Sequence, residues 1–563
     1  MARKGKSEER TAWLFVTPFL IMFAVFKLYP IFYGFVVSFW NRNSALRMAD
    51  RSFAGFSNYL KVLQSGTFWS SFCNSLEFSV IYIVAIMFFG VLLAVMFNNK
   101  FRGRSFVRTC FYMPYVTNMI AVGIVFKYLL NPSKGPFNAL WRAFGASGPQ
   151  WLNDQHLALP ISALIGVWVA LAFNIITVLA ALQDIPRDLY EVADLEGVTF
   201  WQRMRFVTLP CLVPSLFMLL TISIINSFRK LYDDRRIDER RSRYILDGAF
   251  PADIQRCVSL SKIFHRFCGR GTLHAFYCIG QPFGCPLEGE MGDEMNRKRP
   301  VFTAVMWLLG LCMIYPFVMM VSIGFRPAGL AYEPLFAPVK PILDNYGKVL
   351  FHKNFGDWYR NTILTVCITI VLRLLVTLPA AYAFSRLRFR GSRFVMAALM
   401  ATLMVPGETT MVPRYLFFRQ LHLLDSMWVI ILPEISEVFY LMLMTEFFRS
   451  IPEDFSEAAK IDGAGHGTIL LCLFLPLSGP SVATTVLFSF INIWNNFLDP
   501  YLFISTVSHQ LITPALQYFQ ERGGANIPMQ LAGATFAVVP VVFLFIFTQR
   551  YFVAGVSSSG IKG

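Results

Sequence analysis

Glu191 and Glu457 stand in the same polar setting twice over. The first stretch reads Ile185-Pro186-Arg187-Asp188-Leu189-Tyr190-Glu191-Val192-Ala193-Asp194-Leu195-Glu196-Gly197 and closes at Leu209-Pro210. The second reads Ile451-Pro452-Glu453-Asp454-Phe455-Ser456-Glu457-Ala458-Ala459-Lys460-Ile461-Asp462-Gly463 and closes at Leu475-Pro476. In both, the glycine follows the glutamate by 6 residues and the proline follows the glycine by 13. The chemistry on offer is docking, not bond-making: a carboxylate on a short rigid helix, set to meet a basic group of a partner. Pro186 and Pro452 suit a helix start, where a missing N–H costs nothing. Asp188 and Asp454 favour the positive end of the helix dipole. Ala193, Ala458 and Ala459 promote helix and leave a slim face. Gly197 and Gly463 end the helix or admit a close backbone approach. An amphipathic loop helix with no partner is the plain alternative, and two copies with matched flanks weigh against it.

These loops lie between long apolar segments. The 563 residues are 55% hydrophobic, 16% aromatic and only 15% charged, too little charge for a water-soluble domain. Apolar runs of about 20 residues recur, the length a helix needs to cross the hydrocarbon layer. The net charge of +16 is read as Lys and Arg gathered on cytoplasmic loops. No basic stripe with interleaved aromatics points to nucleic acid. The basic stretch from Met1 to Glu9 precedes a run read as a retained first span and not a cleaved signal. The 10 cysteines show no close pairs, so neither a metal site nor a disulfide framework is expected.

Spans are expected near 12–37, 75–97, 107–130, 158–182 and 206–228, then near 301–324, 362–386, 394–418, 427–448, 470–492 and 529–549. Basic clusters at Arg3 to Arg10, Lys100 to Arg108, Arg187 to Arg205, Arg297 to Arg299 and Arg386 to Arg393 place both polar loops in the cytoplasm. Short repeats support a duplication. Asn58-Tyr59-Leu60-Lys61-Val62-Leu63 answers Asn345-Tyr346-Gly347-Lys348-Val349-Leu350, and Phe101-Arg102-Gly103 answers Phe389-Arg390-Gly391. Both halves enter from the same side, so the expected fold is an all-α polytopic membrane protein built as a parallel repeat, with a pathway between the halves.

Residues 229–294 break the order. Five spans in the first half leave one crossing missing before the second half begins, and Arg229, Lys230, Arg235, Arg236, Arg240, Arg241 and Arg243 would then lie on the wrong side. We read the stretch as an out-of-frame translation of a lost sixth span. Codons for Asp233-Asp234-Arg235-Arg236, shifted by one base, can spell Thr-Thr-Gly-Gly. A disordered linker, or a zinc-binding segment using Cys257, Cys268, Cys278, Cys285, His265 and His274, are the alternatives. The coding DNA decides: the reading predicts an apolar segment of about 20 residues in a shifted frame, and its absence from both shifted frames would overturn it.

The pattern Glu-x-Ala-x-x-x-Gly, nine residues, an apolar residue (Val207, Leu473), x and Leu-Pro resembles the EAA loop of binding-protein-dependent ABC importer permeases. Within that superfamily the chain looks like the carbohydrate uptake group. The first half resembles the permease that opens Trp13-Leu14-Phe15-Val16-Thr17-Pro18. The second resembles its usual partner, with Trp494-Asn495-Asn496-Phe497 and the ending Gln549-Arg550-Tyr551-Phe552. The resemblance covers 1–228 and 295–563 and implies two tandem transmembrane domains, the first lacking its sixth helix. It also implies a multi-pass protein of the bacterial inner membrane. A cytoplasmic ATPase dimer would dock at Glu191, Ala193, Gly197, Glu457, Ala458, Ala459, Asp462 and Gly463. An extracytoplasmic binding protein would deliver a sugar or a related solute such as glycerol phosphate. Val192 stands where the family has alanine. No G-x-x-x-x-G-K-[ST] loop is present, so ATP and magnesium are expected on the partner subunits, with no cofactor or metal on this chain and no enzymatic activity of its own.

Asn492, Asn495 and Asn496 are candidates for the solute pathway, weighed against helix–helix hydrogen bonding or a loop position. Lys27 and Glu77 are expected to snorkel to the interface, and His466 to be a solvated loop residue. A secondary transporter driven by an ion gradient is the rival reading. It would need ionisable residues paired near the midplane, acidic residues look scarce there, and twin loops would have no role in it. A membrane enzyme would need clustered His or carboxylates, which the seven scattered His do not provide.

Overall fold

The structure, a computed structural model, describes residues 2–42, 51–99, 101–234, 300–332, 338, 340–519 and 526–559. Most of the anomalous segment, and with it the questions of the lost sixth span and the cysteine–histidine zinc alternative, lies outside the described residues. Among the described residues the chain is helical apart from one small hairpin, Trp40–Arg42 with Arg51–Phe53. Eight helices are long and apolar enough to cross a membrane, and three bent pairs raise the number to 11 when each pair is one span. Those positions match the apolar runs read from the sequence.

The bends follow local chemistry. Ser392–Thr402 and Gly407–Gln420 meet at 89°, with Pro406 extended at the junction. His466–Leu477 and Gly479–Trp494 meet at 79°, across Ser478 and ahead of Pro480. A proline cannot continue the ladder, and the residue before it avoids the helical region.

The same constraint makes three π turns. Ala24–Leu28, Met204–Thr208 and Ile469–Phe474 run up to Pro30, Pro210 and Pro476. The amides of Tyr29, Leu209 and Leu475 reach back five residues, to the carbonyls of Ala24, Met204 and Leu470. One extra residue in the turn relieves the crowding of the proline ring against the preceding turn. Two of these sites are the Leu-Pro closings of the twin loops.

The chain folds as two compact units. One holds residues 1–38, 116–146 and 315–563, and the other holds 39–115 and 147–314. They do not follow the repeat boundaries near 228 and 295. In the first unit, Ala12, Val16, Phe19 and Phe23 form a buried stripe at helical spacing. They pack with Ala380, Leu399, Leu441, Met444, Phe448 and Phe474 from the second half of the sequence. The first span of the chain therefore completes the core of the second repeat. In the other unit, Trp307 donates its indole N–H to the Arg102 carbonyl at 3.0 Å, and a side-chain carbon on Gly310 would contact Val107. The opening of the second repeat packs on the first in the same way.

The matching Phe-Arg-Gly turns carry the same backbone. Gly103 has φ +79° and Gly391 φ +81°, the left-handed region that favours glycine. Gly90 lets the Gly66–Asn98 helix approach Asn174 of Ala158–Asp184, where an added methyl would sit 3.1 Å from the Asn174 Cβ. Among the described cysteines, Cys110, Cys211, Cys312, Cys367 and Cys472 are free.

Candidate functional site

The two polar loops fold as helices of 9 residues each, Arg187–Leu195 and Glu453–Ile461. Pro186 and Pro452 stand at the N-cap positions, at φ −55° and −56°, so each proline marks the start of its helix. Both helices end alike. The Val198 amide donates to Ala193 O at 3.2 Å and the Gly197 amide to Asp194 O at 3.2 Å. In the second loop, Ala464 donates to Ala459 O at 2.9 Å and Gly463 to Lys460 O at 3.1 Å. This is the Schellman arrangement, which needs a left-handed residue just past the cap. Gly197 (φ +65°) and Gly463 (φ +82°) supply it.

The outward faces also match. Leu189, Val192 and Leu195 run along one side of the first helix, and Phe455, Ala458 and Ile461 along the second. Leu195 is 88% exposed and Ile461 86% exposed, at the tips of otherwise polar loops. Glu191, Glu457 and Asp462 are exposed beside them. The inward positions, Ala193 in the first and Ser456 in the second, are buried, and Ala459 packs on the core.

Each helix is tied to its own unit. In the first, Asp194 pairs with Arg203 at 2.8 Å, and the Tyr190 hydroxyl lies 3.4 Å from that of Thr208 in the π turn. The second starts where Arg386, from the Phe355–Arg386 helix, donates to Phe448 O at 2.6 Å and to Ile451 O. Glu453 lies 4.0 Å from the same guanidinium. His466, expected in solvent, is half-buried with Nδ1 3.1 Å from the Tyr382 hydroxyl. Tyr382 belongs to that same long helix, which draws the histidine inward.

A second constellation, in the unit that holds the second loop, was not anticipated as such. Lys27 pairs with Glu437 at 2.7 Å, which corrects the snorkelling expected of it: a carboxylate within reach satisfies the ammonium without a path to water. Arg373, fully buried, pairs with Glu434 at 2.7 Å. Arg414 grips Asp499 with two hydrogen bonds, at 2.8 and 3.2 Å. The legible signal was a charged residue inside an apolar run, which is a functional flag by default; acidic residues looked scarce because Glu434 and Glu437 sit at a helix break. Of the asparagines, Asn496 joins these charged groups through Asp499. Asn495 donates to Val116 O at 3.0 Å, and its side-chain oxygen is buried without a partner. Asn496 donates to Asp499 at 3.3 Å, and Asn492 is exposed.

A polar knot closes the turn after the Gly407–Gln420 segment. The Asp425 carboxylate accepts from the amides of Ser505 (2.9 Å) and Thr506 (2.8 Å), from the Thr506 hydroxyl (2.6 Å), and faces His509 Nδ1 at 3.2 Å. Burial works against the charge, but the Thr506 and Ser505 hydrogen bonds and His509 outweigh it and hold the carboxyl below its ordinary range. A group lowered in the folded state stabilises above its unfolded value, and that contribution disappears as pH falls through the folded value. Asp425→Asn is therefore expected to lower the thermal midpoint of the purified chain at neutral pH, and the gap from wild type to close in acid below the ordinary carboxylate range. A gap that stays constant with pH would contradict the assignment.

A family model described as a binding-protein-dependent transport system inner membrane component matches residues 86–231 and again 282–558. The arabinooligosaccharides transport system permease protein AraQ of Halalkalibacterium halodurans is 29% identical over 280 residues, covering 47% of this chain and 100% of that protein. AraP of Bacillus subtilis, the arabinooligosaccharides permease, is 32% identical over 225 residues, covering 40% of this chain and 70% of that protein. A crystal structure of a bacterial ABC transporter that imports the polysaccharide alginate matches at 26% identity and TM-score 0.42, covering 47% of this chain and 100% of that one.

Proposed function

This chain belongs to the family of inner membrane components of binding-protein-dependent transport systems, and we propose that it is the membrane-spanning permease of an ATP-driven oligosaccharide importer. Its relatives are sugar permeases, two permease domains stand in tandem, and the chain is a multi-pass membrane protein. The domains correspond to 1–228 and 295–563, joined through 229–294. The membrane is the bacterial inner membrane, and both loops face the cytoplasm. Each loop helix seats in a groove on a separate ATPase subunit, with Glu191 and Glu457 meeting basic groups there. Closure of the ATPase pair on ATP then moves the spans, and a solute-binding protein presents the solute from the other side.

One observation carries this reading. Two polar loops end in the same cap geometry, and each holds a nearly fully exposed aliphatic residue outward, Leu195 at 88% and Ile461 at 86%. An exposed aliphatic tip flanked by a carboxylate is the composition of a docking surface. The solute is an oligosaccharide, as it is for the arabinooligosaccharides and maltodextrin permeases among the relatives; glycerol phosphate is the other solute compatible with the sequence. The test is uptake of arabino-oligosaccharides and maltodextrins into proteoliposomes holding the chain with the ATPase and binding protein encoded beside it. ATP-dependent uptake of either supports the reading. Association without uptake of any oligosaccharide would contradict the solute class.

A further inference from the structure

The fourth span of the second repeat is broken. Trp428–Ile435 stops at Ser436 (φ −105°, ψ 45°), Glu437 is extended, and Val438–Ser450 resumes. A continuous helix would give the Glu434 carbonyl to the Val438 amide. The break frees it, at a depth where lipid offers no replacement donor and irregular backbone persists only when protein satisfies it.

Arg373 provides the replacement. It lies about 20 Å along its helix from Arg386, so near the middle of the span. Its Nε and Nη2 donate to the Glu434 carbonyl at 2.8 and 2.5 Å. Nη2 also reaches the Glu434 carboxylate at 2.7 Å, and Nη1 donates to the Ser489 hydroxyl at 2.5 Å. The guanidinium carbon, Cζ, lies over the Tyr440 ring, 4.1 Å from its centroid. One side chain thus joins three spans at the break. Lys27 holds the next carboxylate, Glu437, from a fourth helix.

Below the break, Val438–Ser450 runs about 20 Å to the second loop helix. Its lower end is held by Arg386, through the carbonyls of Phe448 and Ile451. Arg373 and Arg386 belong to the same helix, Phe355–Arg386. The segment between break and loop is therefore pinned at both ends to one neighbour.

We infer that Arg373 is a positioning residue that makes this segment a rigid lever, so that movement of the second loop helix is carried past the break to the spans above it. The inference rests on the coupling role proposed for the loop. A guanidinium suits the task because its planar fork bonds carbonyl and carboxylate together and stacks on the ring. Lysine, a point charge, keeps the sign and loses the fork.

The experiment uses the full chain in lipid nanodiscs with its ATPase subunits, read by hydrogen–deuterium exchange with and without a non-hydrolysable ATP analogue. In the wild type, nucleotide is expected to change exchange both at 453–461 and above the break at 428–435. In Arg373→Lys the change at 453–461 persists, while the change at 428–435 falls by about tenfold. Without nucleotide, amides at 436–440 exchange about tenfold faster than in wild type. Glu434→Gln, which keeps the backbone carbonyl, gives a smaller loss in the same direction and serves if the lysine variant fails to insert. A wild-type response at 428–435 retained in both variants would overturn the inference and leave the coupling role standing. No nucleotide response at 453–461 in the wild type would overturn the coupling role itself.

Discussion

Reversing both loop charges together, Glu191→Lys with Glu457→Lys, is expected to abolish ATP-driven uptake while the chain still inserts and folds. Both glutamates are exposed, and among the described residues neither makes an ion pair or hydrogen bond, so the fold does not depend on them. Their value lies in a partner. Losing one member of a desolvated charge pair costs about 2–5 kcal/mol, a weakening of roughly 30-fold or more at each site. Reversal adds repulsion. Either single reversal leaves one docking helix intact and gives an intermediate loss. The assay is uptake by the reconstituted complex, with size-exclusion profiles of the solubilised chain as the insertion control. Wild-type uptake by the double reversal would end the coupling assignment.

Asp499→Leu is expected to do the opposite: leave the loops untouched and destabilise the fold. Arg414 and Asp499 side chains are 11% and 13% exposed and share a bidentate contact. Removing the carboxylate strands a buried guanidinium, which costs about 3–5 kcal/mol, whereas replacing both partners by apolar residues of similar volume is near neutral. Asn496 loses its acceptor as well. The single variant should therefore show a sharp loss of folded yield and a lower thermal midpoint, and adding Arg414→Met should recover most of both. A single variant as stable as the double would mean that the pair is not held as described.

These two sites differ in how legible they were. The twin loops could be read in full, because a short helix with a proline cap and a left-handed glycine is specified by local residues alone. The spans were legible for the same reason, since hydropathy is a property of each segment. Direction is not. The bends at Pro406 and Ser478 and the π turns before Pro30, Pro210 and Pro476 depend on where a proline falls within a span, and an apolar run looks alike straight or bent. Partner choice was hidden too: nothing in the stripe of Ala12, Val16, Phe19 and Phe23 says that it completes the other repeat's core. The pairing of Lys27 with Glu437, 410 residues apart in sequence, is of that kind. So is the grip of Arg373 on Glu434. Asn495 and Asn496 were legible only as polar residues at the end of a span; their contacts with Val116 and Asp499 were not.

The coupling role of the twin helices can be tested before any solute is known. The chain is purified from native membranes in mild detergent, together with the proteins encoded beside it, and the complex is weighed by native mass spectrometry. Two copies of a nucleotide-binding subunit per chain are predicted, with one copy lost when Glu191 or Glu457 is reversed. A folded, monodisperse chain that carries no ATPase would contradict the account.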